Sequence, residues 1–239
     1  MIKIENVDVV GWESAIRGMR NPMNSWDKSD SYKTYVEDTE TLQTAEFEFF
    51  VGENDLDLMK RLVKAGTDHR KFMRMIVVYA DITAPMYWWK EFDTYKVGTV
   101  RNSCSTMHKI TAKEFTLDDF SHEHLFDDEE NMAIFKSSLC RTIADLNTAR
   151  ELYFRTKDRP MKSKQSRQEL MKKYWWQMIQ LLPSSYKQRS TLMLNYEVLA
   201  NMYHSRKNHK LDEWHTFCTW VESLPYSELI TGEGENDNT

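Results

Sequence analysis

Two segments of the sequence carry side chains that could hold a ligand as well as build a core. The first runs from Met86 to Phe92, reads MYWWKEF, and continues into Tyr95, Lys96 and Arg101. Paired tryptophans next to cations can stack a flat ring and counter the charge of its phosphate. The same tryptophans also suit a buried core with Lys90 in solvent, and that structural interpretation is the favoured one.

The second segment is polar and lies towards the end of the chain. Leu182-Pro183 is followed by Asn195, Asn201 and Arg206. Arginine donors and an asparagine amide together can read the edge of a pyrimidine or of a flavin. Asn201 and Arg206 are five positions apart, so they point about 140° apart on one helix. They could line a cleft at the helix end, or satisfy backbone carbonyls there.

Other reactive side chains give weaker signals. Cys104, Cys140 and Cys218 show no CxxC spacing, which argues against a disulfide framework or a zinc site, so no metal is predicted. No base lies near Cys104 in the sequence, and a buried, inert thiol is the favoured interpretation. His122 and His124 lack HExxH spacing and fit exposed polar positions.

The composition restricts the class of protein. Of 239 residues, 41% are hydrophobic and 13% aromatic, with 7 Gly and 5 Pro, which fits a soluble globular chain and excludes collagen-like and disordered classes. The longest apolar runs are far shorter than the ~20 residues that cross a bilayer. Neither GxGxxG nor GxxxxGK[ST] occurs, which argues against classical dinucleotide and P-loop sites. A net charge of -5 argues against coating nucleic acid as the main task.

Hydrophobic periodicity predicts a helix-rich chain with a few strands. The predicted strands are Ile2–Val10, Ala45–Val51, Phe72–Ile82 and Tyr186–Leu194. The predicted helices are 13–19, one capped by Asn54 and ending at Gly66, one opened by Thr83-Ala84-Pro85, 129–155, 166–182, one capped by Asn195, and 211–224. One α+β domain over residues 1–230 is the simplest architecture, followed by a disordered acidic tail over 231–239.

Two charged runs separate these elements. From Glu114 to Glu130 there are eight acids and no Lys or Arg, which predicts a solvated connector. From Arg155 to Lys173 eight bases face two acids. A solvated turn between helices is favoured there over a site for nucleotide phosphate or nucleic acid.

The order of the elements resembles that of the flavin-dependent thymidylate synthases. The resemblance extends from about Val7 to Val221. It includes the helix that ends in Gly66, the strand over 72–82 and the helix start at Tyr87-Trp88-Trp89-Lys90.

The resemblance is most specific towards the end of the chain. Pro183 is followed at the family's spacing by Asn195, Asn201 and Arg206, and Trp214 stands within one residue of its expected place. In the family, the counterpart of Arg206 contacts the substrate uracil, and the counterpart of Asn201 lies beside the flavin ring.

The chain departs from the family at the signature RHRxxSxNExSxR, which falls on residues 90–102. Only the first cation is kept in kind, as Lys90, and the serine near the substrate becomes Tyr95. Two further family arginines are replaced by Glu197 and Ile179. Each charge-assisted hydrogen bond lost is worth about 1.5–3 kcal/mol, so several losses weaken phosphate binding unless other cations substitute. The candidates for that substitution are Lys96, Arg101, Arg189 and the basic run.

The resemblance implies a helix-rich α+β fold with a small central sheet and a homotetramer with FAD between subunits. It implies an enzyme that acts on C5 of dUMP with methylenetetrahydrofolate as the carbon donor. It assigns Arg206 to catalysis and substrate binding, with Tyr95 and Arg189 at the substrate. The residues that it assigns to the flavin are Asn201, Lys90, Arg101, His69 and Asn195.

Two alternatives keep the same scaffold. In one, Tyr95 reshapes the pyrimidine pocket for a related C5 modification or another nucleotide. In the other, the chain is a catalytically inactive nucleotide-binding or assembly protein. The acidic start MIKIENVDVVGWES lacks the basic and apolar regions of a signal peptide, so a cytoplasmic location is expected.

Overall fold

The computed structural model of the protein describes residues 1–36, 46–125, 132–160 and 163–232. The strands among them are β1 (Lys3–Val10), β2 (Tyr32–Val36), β3 (Glu46–Phe50), β4 (Val77–Pro85), β5 (Thr99–Ser103) and β6 (Lys187–Asn195). The α-helices among them are α1 (Trp12–Arg20), α2 (Glu53–Lys64), α3 (Met86–Phe92), α4 (Thr106–Lys109), α5 (Met132–Asp158), α6 (Lys164–Leu181), α7 (Tyr196–Arg206), α8 (Asp212–Glu222) and α9 (Glu228–Thr231). The predicted helix-rich α+β fold class is confirmed.

Four strands form one small sheet in the order β1-β4-β6-β5, and β2 pairs with β3 in a separate antiparallel hairpin. Buried and accessible residues alternate along β4 and β6, as expected for strands with one face against a core. Both strands run directly into helices. β4 ends at Pro85 and α3 begins at Met86, and β6 ends at Asn195 and α7 begins at Tyr196.

The chain divides into two compact units. The first unit contains Met1–Lys3, Ile82–Thr94 and Asn102–Ser190. The second unit contains Ile4–Asp81, Tyr95–Arg101 and the segment from Thr191 onwards. The prediction of one domain over residues 1–230 stays a prediction. Residues 233–239, in the tail predicted to be disordered, lie outside the described residues.

The start of α2 differs from its prediction. Its N-cap is Gly52 and not Asn54. The carboxylate of Asp30 accepts the backbone N–H groups of Asn54 and Asp55, at 2.9 and 3.1 Å. A side chain from a distant loop thus satisfies the first donors of the helix, which no intrahelical carbonyl can reach. At the other end, Gly66 has the predicted left-handed conformation, with φ 99°.

The strand predicted over Phe72–Ile82 is wrong at its start. Residues 71–74 form a 3-10 turn with Phe72 and Met73 buried, and β4 begins only at Val77. Thr83 and Ala84, predicted to begin the next helix, continue β4. Four short elements with strand or α-helix geometry were not predicted at all. These are β2, β5, α4 and α9.

Helices α5 and α6 build the core of the first unit. Phe115 and Phe120 insert into this core and are 5% and 0% exposed. The side-chain amide of Asn147 on α5 both donates to and accepts from the backbone of Phe115, at 2.8 Å each. The prediction of a solvated connector over 114–130 is therefore wrong for the part up to residue 125. Residues 126–130 lie outside the described residues.

A buried ion pair organises one side of the second unit. Arg20 donates from Nε to Oδ1 of Asp55 at 2.6 Å, and the two side chains are 5% and 0% exposed. The hydroxyls of Ser29 and Ser31 donate to Oδ2 of the same carboxylate, at 2.6 and 2.7 Å. Burial raises the pKa of Asp55, but the hydrogen bonds from Ser29, Ser31 and Arg20 lower it by more, so the pKa lies below its usual value.

Across the described ranges, no helix is long and apolar enough to span a membrane. Within the same ranges, no group of three or more His, Cys, Asp or Glu side chains is arranged to hold a metal ion.

Replacing Asp55 by Asn should lower the free energy of unfolding by about 3–5 kcal/mol, because the Arg20 charge stays buried without its counter-ion. Urea unfolding of both proteins measures this loss. The matched control is Asp57→Asn on the same helix, where an exposed pair with Arg61 contributes less than about 1 kcal/mol. Equal losses in the two variants would contradict the role given to Asp55.

The same comparison has a pH dependence of defined sign. Because the folded pKa of Asp55 is lowered, its contribution is complete above the usual carboxyl pKa of 3.8 and is lost as pH falls through the folded value. The difference between wild type and Asp55→Asn should therefore shrink below about pH 4. A difference that stays constant at low pH would argue against an ionised Asp55.

Candidate functional site

Helix α7 positions three of the predicted residues in the second unit. The Oδ1 of Asn195 accepts the backbone N–H of Val198 at 2.9 Å, so the predicted cap is confirmed. Asn201 lies in the exposed part of the helix, and Arg206 is its last residue. The opposite side of α7 is buried through Tyr196, Val198, Leu199, Ala200, Met202 and Tyr203. This burial fixes the helix, so Asn201 and Arg206 have defined positions.

Arg206 contacts two aromatic side chains. Its Nε donates a hydrogen bond to the hydroxyl of Tyr95 at 2.8 Å. Its guanidinium carbon lies 4.9 Å from the centre of the Trp214 ring and 5.5 Å from the centre of the Tyr95 ring. Trp214 is fully buried, whereas Arg206 and Tyr95 are half-buried. Cation–π contacts and one hydrogen bond therefore fix the plane of the guanidinium. We call these three residues the Arg206 cluster.

A glycine lets the segment 95–101 approach the start of α7. Gly98 has φ 79°, and a Cβ atom there would lie 2.6 Å from Nδ2 of Asn195. A larger residue would clash with the capping side chain and would also be strained at this φ. Tyr95 reaches Arg206 from this segment. The conformation of Gly98 is therefore a condition for the Arg206 cluster.

Glu197, which stands where the family carries an arginine, forms an ion pair. Nε and Nη2 of Arg70 each lie 3.0 Å from its carboxylate oxygens. Both side chains are largely buried, at 21% and 18% exposed. The pair neutralises both charges, a partnership that the sequence interpretation missed. The change from the family's arginine to an acid at position 197 is the sequence signal for it, and the sequence does not identify the partner, because Arg70 is 127 positions away.

A cleft of about 560 Å³ opens beside Lys90 in the first unit. Its polar lining consists of Lys90, Ser103, Cys104, Ser105, Thr106, Ser184 and Gln188. Ile179, Leu182 and Pro183 supply apolar wall. Gln188 closes one side, because its Nε2 donates to the carbonyl of Cys104 at 2.7 Å. We call this the Lys90 cleft. The run Ser-Cys-Ser-Thr over 103–106 was the unused sequence signal for it.

Two interpretations of the first segment are settled by burial. Trp88 and Trp89 are 0% and 1% exposed, and Nε1 of Trp89 donates to the carbonyl of Gln188 at 2.9 Å. The core interpretation is confirmed, and a stacking role for the two rings is wrong.

The expectation of a buried thiol at Cys104 is also wrong, because that thiol is exposed. Cys218 is the buried cysteine, and burial, with the charge of Glu222, raises its pKa to about 11.

The predicted residues separate by unit. Arg206, Tyr95, Asn195, Asn201, His69 and Arg101 belong to the second unit, and Lys90 and Arg189 to the first. Of these, the structure brings Tyr95 to Arg206. His69, Asn201 and Lys90 are exposed, and their side chains make no hydrogen bond or ion pair with any residue that the structure describes. Arg189 is exposed and Arg101 half-buried.

The sequence matches no protein-family model and no curated protein. Similarity is found among solved structures. Thymidylate synthase X (ThyX) from Helicobacter pylori, crystallised with FAD and dUMP, superposes with a TM-score of 0.60 at 15% identity, over 97% of this chain and 98% of that chain. A second structure of the flavin-dependent enzyme from Helicobacter pylori, also with FAD and dUMP, gives 0.57 at 16% identity, over 95% and 99%.

A third similar structure is the UMP/dUMP methylase PolB from Streptomyces cacaoi, bound to 5-Br dUMP. It gives a TM-score of 0.56 at 14% identity, over 97% of this chain and 95% of that chain. At these identities the comparisons establish the fold. The resemblance in fold to flavin-dependent thymidylate synthases is confirmed along nearly the whole chain.

The contact between Gly98 and Asn195 can be tested against a second glycine with the same backbone requirement. Gly66 also has positive φ, but a Cβ atom there would meet nothing within 4 Å. Gly66→Ala should cost about 1–2 kcal/mol of unfolding free energy. Gly98→Ala should cost a further ~1–3 kcal/mol from the clash. Urea unfolding measures both, and similar losses would mean that Gly98 does not position this segment.

Proposed function

We propose that this chain is a flavin-dependent enzyme that modifies C5 of dUMP, with FAD as cofactor and methylenetetrahydrofolate as carbon donor. The observation that carries the proposal is the fixed guanidinium of Arg206, at the position that the resemblance assigns to the uracil-binding arginine. Similar structures that were solved with dUMP or 5-Br dUMP support the same class of ligand.

Arg206 would bind the uracil ring and withdraw electron density from it. A guanidinium donates several hydrogen bonds in one plane, which suits a ring carbonyl. Negative charge develops on such a carbonyl oxygen when C5 becomes nucleophilic, and a cation already in place stabilises that charge without reorganising. Tyr95 and Trp214 act as positioning residues, because they fix the plane of the guanidinium.

The residues that the resemblance assigns to FAD have side chains of the chemical types that FAD requires. Asn201 exposes an amide on α7, which offers a donor and an acceptor to the edge of a flavin ring. Lys90 and Arg101 supply positive charge for phosphates. The ion pair with Arg70 removes the repulsion that an unpaired Glu197 would exert on a pyrophosphate. When bound, the flavin supplies the hydride for reduction.

A related C5 modification is the second candidate, and Tyr95 is the observation that favours it. The family carries a serine at this position, whereas Tyr95 is larger and accepts the Nε–H of Arg206. A bulky side chain hydrogen-bonded to the proposed uracil-binding arginine changes the shape of the pocket into which a pyrimidine ring would fit. A different C5 group or another pyrimidine nucleotide would then be the substrate, and the mass of the product distinguishes the two candidates.

Several parts of the proposal rest on the resemblance alone. These are a homotetramer with FAD between subunits, a cytoplasmic location, His69 and Asn195 at the flavin, and Arg189 at the substrate. Light scattering tests the assembly directly, and a mass near 28.5 kDa at micromolar concentration would argue against a shared flavin site.

Arg206→Ala should weaken dUMP binding by about 1.5–3 kcal/mol, the value of a charge-assisted hydrogen bond. Calorimetry with purified protein measures the change. Arg61→Ala is the matched control in the same unit, because Arg61 is exposed and, among the residues that the structure describes, pairs only with Asp57. Absence of heat and of any thermal shift for the wild type with dUMP would refute the proposed substrate class.

FAD affinity should depend on charge in residues 90–101. Lys90→Ala and Arg101→Ala should weaken binding, and Glu91→Gln should strengthen it, because a carboxylate near a pyrophosphate is repulsive. High salt should reduce all three effects. A fluorescence titration of FAD at two salt concentrations measures them.

Two results would contradict this assignment. Wild-type binding that none of the three substitutions alters would exclude residues 90–101 as the phosphate site. A protein that stays colourless and takes up no FAD would favour the catalytically inactive alternative.

A further inference from the structure

A second cleft lies in the second unit, between α1 and the β2–β3 hairpin. Its volume is about 370 Å³, which is in the range of small-molecule sites. Arg17 and Arg20 line it from α1, and Tyr32, Lys33 and Phe49 line it from the hairpin. It shares no residue with the Arg206 cluster or with the Lys90 cleft. We call it the Arg17 cleft.

Arg20, one partner of the buried ion pair described above, lines this cleft. Arg20 uses Nε for Asp55 and Nη1 for the carbonyl of Ser25, at 2.6 and 3.2 Å. Its Nη2 has no hydrogen bond with any residue in the described ranges. Arg17, one turn earlier on α1, is exposed and forms no ion pair within those ranges.

Aromatic rings with accessible faces border these cations. Trp26 is 51% exposed, yet its ring is oriented by a 2.9 Å hydrogen bond from Nε1 to Oδ1 of Asn21. Tyr32 is 58% exposed and stacks on Phe50, with ring centres 5.5 Å apart and an interplanar angle of 18°. Rings that are fixed and still exposed offer stacking surface to a planar ligand at little cost in side-chain entropy.

We infer that the Arg17 cleft binds a planar aromatic ring that carries a phosphate, as in a nucleoside monophosphate. The ring lies against Trp26 and Tyr32, where stacking tolerates any base. The phosphate pairs with Arg17 beside the buried charge of Arg20. This inference does not depend on the proposed function, because the two sites have no residue in common.

The test uses AMP, because a purine has the largest stacking surface and is not the ligand proposed for the Arg206 cluster. Calorimetry on the full chain compares AMP with adenosine, which lacks the anion, and with inorganic phosphate, which lacks the ring. AMP should bind at least about tenfold more tightly than either, because both halves of the cleft contribute.

Two substitutions separate the halves. Arg17→Gln should weaken AMP about tenfold and leave adenosine unchanged. Trp26→Leu should weaken AMP and adenosine and leave phosphate unchanged. Lys28→Gln and Trp176→Leu are the matched controls, because both side chains are exposed and neither lines the cleft. Both controls should bind AMP as the wild type does. Unfolding midpoints establish that the variants fold. If Trp26→Leu does not fold, the comparison of AMP with adenosine on Arg17→Gln still tests the inference.

Three outcomes would overturn the inference. The first is absence of AMP binding. The second is AMP binding that Arg17→Gln leaves unchanged and Arg206→Ala abolishes, which would assign AMP to the other site. The third is phosphate binding as tight as AMP binding, which would mean an adventitious anion only.

Discussion

Two strand-to-helix junctions without a loop control where the proposed binding residues lie. A helix that follows a strand directly has to satisfy its first N–H groups at once. Asn195 does this for α7 with its own side chain, and the N–H groups of Met86 and Tyr87 at the start of α3 donate to carbonyls in the segment 184–186. Because both helix starts are fixed, the positions of Lys90 and Arg206 along their helices are fixed too. Lys90 lies about one turn into α3, and Arg206 lies about 16 Å along α7, at 1.5 Å per residue.

Flavin-dependent thymidylate synthases, which this chain resembles, carry positive charge at positions where this chain has side chains that pair with each other. Glu197 stands at an arginine position and is neutralised by Arg70, while Tyr95 stands at a serine position and holds Arg206. Both changes give Arg70 and Arg206 side-chain partners within the second unit. A ligand that binds there gains from a preoriented guanidinium, but it meets fewer free cations than the family signature would supply. Under the proposed function, both changes predict weaker phosphate binding and an altered pyrimidine pocket.

Periodicity and caps carry most of what the sequence predicts about this fold. Asn195 was predictable as a cap because its side chain accepts a backbone N–H only three residues further on. Gly66 was predictable because the residue after a helix often has positive φ. The cap of α2 was not predictable, because Asp30 reaches it from a distant loop. At the candidate site, Arg206 could be proposed from its spacing. Its contact with Tyr95 spans 111 positions, and no local pattern encodes such a pair.

The proposed chemistry occurs at C5 of a pyrimidine nucleotide. Release of tritium from dUMP labelled at C5 tests it whatever carbon group is added, since any substitution at C5 displaces that hydrogen. With FAD, a reductant and methylenetetrahydrofolate, the wild type and Arg61→Ala should release tritium, and Arg206→Ala should release at least about tenfold less. Flavin-loaded wild type that binds dUMP and releases no tritium would contradict the account.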